Sequence, residues 1–141
     1  MLLLDTNVIS ELRKVKNGKA DPQFTRWAAQ LQLNQLYISA ITVMELELGI
    51  LQIERRDVHQ GQILRQWFEH QILPSFESRM LSVDRKVALT CARLHVPDPR
   101  AERDALIAAT AITHGMTVVT RNIADFKATG VGLFNPWQIM D

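Results

Sequence analysis

A chain of 141 residues, 47% apolar and 22% charged, is long enough to bury one self-sufficient core and too apolar to be a disordered tail. A net charge of +1 excludes a broadly basic nucleic-acid binder, so any cationic surface must be local. The one cysteine, Cys91, excludes an intramolecular disulfide and fits a cytoplasmic location.

Met1 to Leu4 is apolar but stops at Asp5 with no basic flank, far short of the ~20 residues of a membrane span. Leu2–Leu4 is the first predicted strand. Two helices follow, Thr6–Lys14 and Phe24–Leu33, separated by a polar loop from Lys16 to Pro22. Leu36–Ser39 is the second strand, and a long helix is predicted from Ile41 to Arg56. The next helix, Val58–Gln71, places Ile63, Leu64, Trp67 and Phe68 on one stripe, with Pro74 as its terminator. Met80–Val83 is the third strand. Asp84 reads as the cap of a helix reaching Leu94, in which Cys91 is a small buried hydrophobe. Asp98-Pro99 is expected to open a last long helix that runs to His114 and stops at Gly115. Thr117–Thr120 is the fourth strand, and Val131–Phe134 a short fifth strand at an edge.

Short apolar runs alternating with helical patterns predict an α/β fold with a mostly parallel central sheet of four to five strands flanked by helices. No repeat or linker divides the chain, so residues 1–141 read as a single domain. Trp27, Trp67, Phe68 and Phe76 fall on apolar stripes and read as packing residues, with Trp137 anchoring the tail.

Ligands of open parallel sheets bind beyond the carboxyl ends of the strands. Four acids are predicted to fall there. Asp5 follows the first strand, Glu45 lies early in the helix after the second, Asp104 early in the helix feeding the fourth, and Asp125 after the fourth. Ionised together they repel, so a cation must sit among them. His59, His70, His95 and His114 lack zinc-type spacing, and an all-oxygen donor set points to Mg²⁺ or Mn²⁺. Such an ion activates water and neutralises a phosphodiester, which is nuclease chemistry. Asn7, Thr120 and Asn122 stand close in sequence to Asp5 and Asp125, placed to orient the carboxylates or the attacking water.

Taken singly, each acid has a plainer reading. Asp5 serves as a helix cap, Glu45 as a solvated helix glutamate, Asp104 as a partner of Arg100 or Arg103, and Asp125 as a turn cap. Four such coincidences on one edge account for the pattern less well than one site does.

Asp5-Thr6-Asn7 after the first strand, Ser39 to Leu46 containing Glu45, Asp104 to Ala111, and Val119-Thr120-Arg121-Asn122 followed by Asp125-Phe126 resemble PIN-domain toxins of the VapC and FitB kind over nearly the whole chain. The resemblance implies a metal-dependent endoribonuclease carried by the four acids, with Asp5 and Asp104 as the main Mg²⁺ ligands. It also implies a homodimer and a cognate antitoxin whose flexible segment crosses the active-site groove, with operator DNA bound only through that antitoxin. It leaves open whether Ile50–Ser78 serves dimer, antitoxin or core.

A phosphotransfer reading of the same fold fails on residues, because Asn7 stands where an aspartate-nucleophile phosphatase wants its second Asp. A non-catalytic module that binds RNA or protein while keeping the acids remains as the alternative. Arg13, Arg85, Arg103 and Arg121 are the candidate substrate contacts.

Overall fold

The computed structural model describes residues 1–138, and the last three residues of the expected domain lie outside the described residues. The five strands are β1 (Leu2–Leu4), β2 (Leu36–Ser39), β3 (Met80–Leu81), β4 (Thr117–Val119) and β5 (Leu133–Phe134), and all pair parallel in the order β3-β2-β1-β4-β5. The chain therefore builds outward from β1 in one direction, then returns to build in the other, making the gap between β1 and β4 the switch point.

Alternate strand residues divide the core into two layers, which is why the strands read as unbroken apolar runs. Leu4, Leu36, Ile38 and Val119 face one layer with α1 (Thr6–Lys16), α2 (Pro22–Ala28) and α3 (Ala40–Arg56). The same layer takes Phe68, Ile72 and Phe76 from the region around α4 (Val58–Trp67) and α5 (Leu73–Phe76). Leu3 and Val118 face the other layer with Ile107, Ala108 and Ala111 of α7 (Glu102–His114) and Phe126 of α8 (Ile123–Phe126). Helix α6 (Arg85–Leu94) packs on α7 through Val87, Cys91, Ala105 and Ala109. Among the described residues, no helix is long and apolar enough to cross a membrane. Trp67 is partly buried against the core, as its stripe predicts, and Trp137 packs its ring 4.7 Å from Phe24.

Several boundaries differ from the sequence expectation, each for a local reason. Strand β3 stops at Leu81, because its neighbour β2 ends at Ser39 and that pair closes the ladder. β4 stops at Val119 and β5 begins at Leu133, each shorter than expected. Helix α2 starts at Pro22, not Phe24, since the Asp21 carboxylate accepts the Phe24 N–H at 3.1 Å and Pro22 fills the first helical position. It also stops at Ala28, and Leu33–Gln35 forms a separate 3₁₀ turn.

Pro74 does not end a helix. A π-helical turn over Phe68–Ile72 lets the Leu73 N–H reach the Phe68 carbonyl, and Pro74 then sits in the first turn of α5, where a missing N–H costs nothing. Asp98-Pro99 likewise does not open α7. The Arg100 N–H is held by His95 Nδ1 at 3.2 Å and its side chain by the Leu94 carbonyl, so the helix begins only at Glu102, with Ala101 before it. Gly115 closes α7 in the left-handed region at φ 66°, as the sequence indicates.

Candidate active site

Strand register builds the site. Leu4 of β1 lies beside Val119 of β4, so the next residues along, Asp5 and Thr120, leave the sheet side by side at its carboxyl edge. Asp5 is 5% exposed, and its hydrogen bonds divide by oxygen. One oxygen accepts the Thr6 N–H at 2.8 Å, which also starts α1. The other accepts the Thr120 hydroxyl at 2.8 Å and the Asn7 amide at 3.4 Å.

Thr120 and Asn7 are themselves fixed. Thr120 Oγ1 accepts the Asn122 N–H at 3.0 Å, and Asn7 Oδ1 accepts the Arg121 N–H at 3.3 Å. The start of α1 is thereby stitched to the turn after β4, and that turn leads within one short helix to Asp125. The three polar residues expected around Asp5 and Asp125 thus form one connected group.

Glu45 enters from α3. The Thr6 hydroxyl donates to its Oε1 at 2.6 Å, and Arg103 approaches its Oε2 at 3.7 Å. Nothing in the sequence points to either contact: Thr6 reads as an ordinary first-turn residue, and Arg103 as a neighbour for Asp104. The Asp104 side chain instead has no hydrogen bond or ion pair among the described residues. Starting α7 at Glu102 places Asp104 in its first turn, aimed at the same edge.

The electrostatics place the four acids in one field. Burial first, then the charges of Asp5, Asp125 and Glu45, push the Asp104 carboxyl up to about 6. Burial also raises Asp5, the hydrogen bonds from Thr120 and Thr6 partly offset it, and Glu45 and Asp125 raise it further. The expectation that Asp5, Glu45, Asp104 and Asp125 converge agrees with this geometry. The donor set is all oxygen and short of positive charge: among the described residues, the one ion pair made by these acids is that of Glu45 with the half-exposed Arg103. Such a set fits a hard divalent cation, which prefers carboxylate oxygens.

Two recesses adjoin the acids. One, of about 510 Å³, is lined by Arg121, Asn122, Asp125, Asn135 and Trp137, with the Arg121 guanidinium 5.4 Å from the Trp137 ring centre. The other, of about 410 Å³, runs from Thr6 and Glu45 past Arg13 to Leu64 and Trp67. Arg13, Arg103 and Arg121 therefore border the site. Arg85 does not: it lies at the start of α6, beside Thr113 and His114 at the far end of α7.

The PIN domain model matches residues 2–131. Toxin FitB of Neisseria gonorrhoeae is 40% identical, with 98% of this chain and 99% of that protein covered. A VapC ribonuclease of Sinorhizobium fredii is 35% identical at the same coverage. A solved structure of FitAB bound to a DNA fragment superposes with a TM-score of 0.88 at 37% identity, covering 100% of this chain and 99% of that one.

Proposed function

The chain belongs to the PIN domain family, and from that membership and the acid cluster we propose that it is a metal-dependent endoribonuclease acting as the toxin of a toxin–antitoxin pair. The observation that carries the reading is the meeting of Asp5, Glu45, Asp104 and Asp125 at one sheet edge, where burial first and then the charges of the other three acids push Asp104 up to about 6. The relatives named as a toxin and as a ribonuclease support it.

Asp5 and Asp104 are the residues to hold Mg²⁺, or Mn²⁺ in its place, with Glu45 and Asp125 binding directly or through water. When bound, such an ion polarises the phosphodiester and acidifies a water at neutral pH. The protein's own part is positioning. Thr6, Asn7 and Thr120 hold the Asp5 carboxylate in one orientation before any ligand arrives, so little reorganisation is needed at the reacting centre. Asn122 steadies Thr120 in turn. Arg121 and Arg103, at the rim, offer planar donors to backbone phosphates.

The same reading assigns a homodimer in the cytoplasm, restrained by an antitoxin and meeting operator DNA only through it. The FitAB structure with DNA supports the partner assignment.

The test is incubation of mixed cellular RNA with the purified full chain in Mg²⁺ or Mn²⁺, in EDTA, and with Asp5→Asn alongside. Discrete fragments that require both the metal and Asp5 are expected. RNA binding without cleavage, by wild type free of any partner, would replace the enzyme with a binding module.

A further inference from the structure

Cys91 and His95 lie four residues apart at the end of α6, one helical turn on the same face. The loop that follows returns the chain so that Glu102, the first residue of α7, meets them. Cys91 Sγ lies 3.8 Å from His95 Nε2 and 3.9 Å from Glu102 Oε1, and His95 Nε2 lies 3.5 Å from Glu102 Oε2. We propose that Cys91, His95 and Glu102 form a second metal site, separate from the four acids and suited to a zinc-class cation.

The distances argue for it first. Zinc bonds of about 2.3 Å to sulfur and about 2.0–2.2 Å to nitrogen and oxygen set tetrahedral edges of about 3.5 Å for sulfur–nitrogen and sulfur–oxygen and about 3.3 Å for nitrogen–oxygen. The sulfur–nitrogen edge needs to contract by only about 0.3 Å, and because Glu102 meets Cys91 through Oε1 and His95 through Oε2, its exposed carboxylate must turn to present one oxygen to both. The donor types argue second. One thiolate, one imidazole and one carboxylate is a borderline-soft set that prefers Zn²⁺ to Mg²⁺, the reverse of the oxygen-only cluster around Asp5.

Burial supplies the third argument. Cys91 is 4% exposed on a floor of Val87, Ala105 and Ala109, whereas the Glu102 side chain is 71% exposed. The sulfur is thus shielded from oxidants, while the fourth position opens to water on the Glu102 side. The plain alternative is a hydrogen-bonded trio, in which the thiol donates to Glu102 and the ring leans on the same carboxylate.

Binding changes two bonds. The thiol gives up its proton as the metal–sulfur bond forms, releasing one proton to solvent per ion. The neutral ring moves its proton to Nδ1 as Nε2 coordinates, so the Arg100 N–H, now 3.2 Å from Nδ1, must turn to water. That lost contact is the local cost of the site.

Cys91 is the sole cysteine, so any thiolate signature reports on this position. The experiment adds Co²⁺, then Zn²⁺, to the purified full chain carrying Asp5→Asn, which weakens the carboxylate cluster. Expected are a near-ultraviolet thiolate-to-cobalt band saturating at one equivalent, tetrahedral visible bands, and displacement by Zn²⁺. The near-ultraviolet band should vanish in Cys91→Ser. In His95→Gln, a change at a partly exposed residue, affinity should fall by more than the about 10–100-fold typical of losing an outer-shell partner. A folded protein with no thiolate band, or a band of unchanged affinity in His95→Gln, overturns the proposal.

Discussion

Asp5 is a buried carboxylate whose orientation depends on the hydroxyl of Thr120, just past the end of β4 and 115 residues away in sequence. Replacing Thr120 with Val removes that donor and leaves Asp5 Oδ2 with only the longer Asn7 contact. RNA cleavage should fall about 10–100-fold, in line with the loss of an outer-shell partner, while Thr120→Ser should retain most of it. Equal rates in the two variants would show that the hydroxyl does not position Asp5. The acids themselves were legible in the sequence because Asp5 directly follows β1, Glu45 lies in the early turns of α3 after β2, Asp104 in the first turn of α7, and Asp125 a few residues past β4, all over the carboxyl edge. The Thr6–Glu45 bond and the Arg103–Glu45 pair were not, because they join residues 39 and 58 positions apart and depend on how α1, α3 and α7 splay at the edge.

Helices α3 and α4 form a hairpin, and Gly61 is the residue that lets them touch. A Cβ at Gly61 would lie 2.6 Å from Glu54 Cγ and 2.8 Å from Glu54 Cα, and the second of these is backbone and cannot swing aside. Gly61→Ala is therefore expected to destabilise the fold by about 1–3 kcal/mol, as overpacking does, despite the better helix propensity of alanine. Chemical denaturation checks this, and an unchanged midpoint would mean that the hairpin opens freely. The Arg65 pairs with Glu47 and Glu54 cross the same hairpin but lie near its surface and add little. At this scale the sequence spoke clearly where one device set a boundary, as with the Asp84 cap, whose carboxylate accepts the Val87 N–H at 3.0 Å, and with Gly115. It misled where two devices competed. Pro74 carries a stop signal that the π-turn before it cancels, and Asp98-Pro99 carries a start signal that the tethering of Arg100 overrides. The second of these matters for function, since a helix begun at Pro99 would leave Asp104 past its first turn.

For the whole molecule, the acid cluster makes stability depend on pH and metal in opposite senses. Asp104 titrates near 6 in the folded protein, against about 3.9 when unfolded, so the fold holds its proton more tightly than the unfolded chain does. A carboxyl raised in this way contributes stability that is complete below about pH 4 and is lost as pH rises through about 6. Metal-free protein should therefore melt lower at neutral pH than at mildly acidic pH, with burial of Asp5 acting in the same direction. Asp104→Asn cannot ionise at this position. Its melting temperature should match wild type near pH 4.5 and exceed it by a few degrees at pH 7 in EDTA. Mg²⁺ reverses the order: at about 100 times its Kd it adds about 2.7 kcal/mol to wild type, a gain that Asp104→Asn should largely lose. Calorimetry of both proteins at the two pH values, with and without Mg²⁺, reads all of these differences. Wild type indifferent to Mg²⁺, together with a destabilised Asp104→Asn at pH 7, would mean that the four acids are held apart by solvent and do not share one ion.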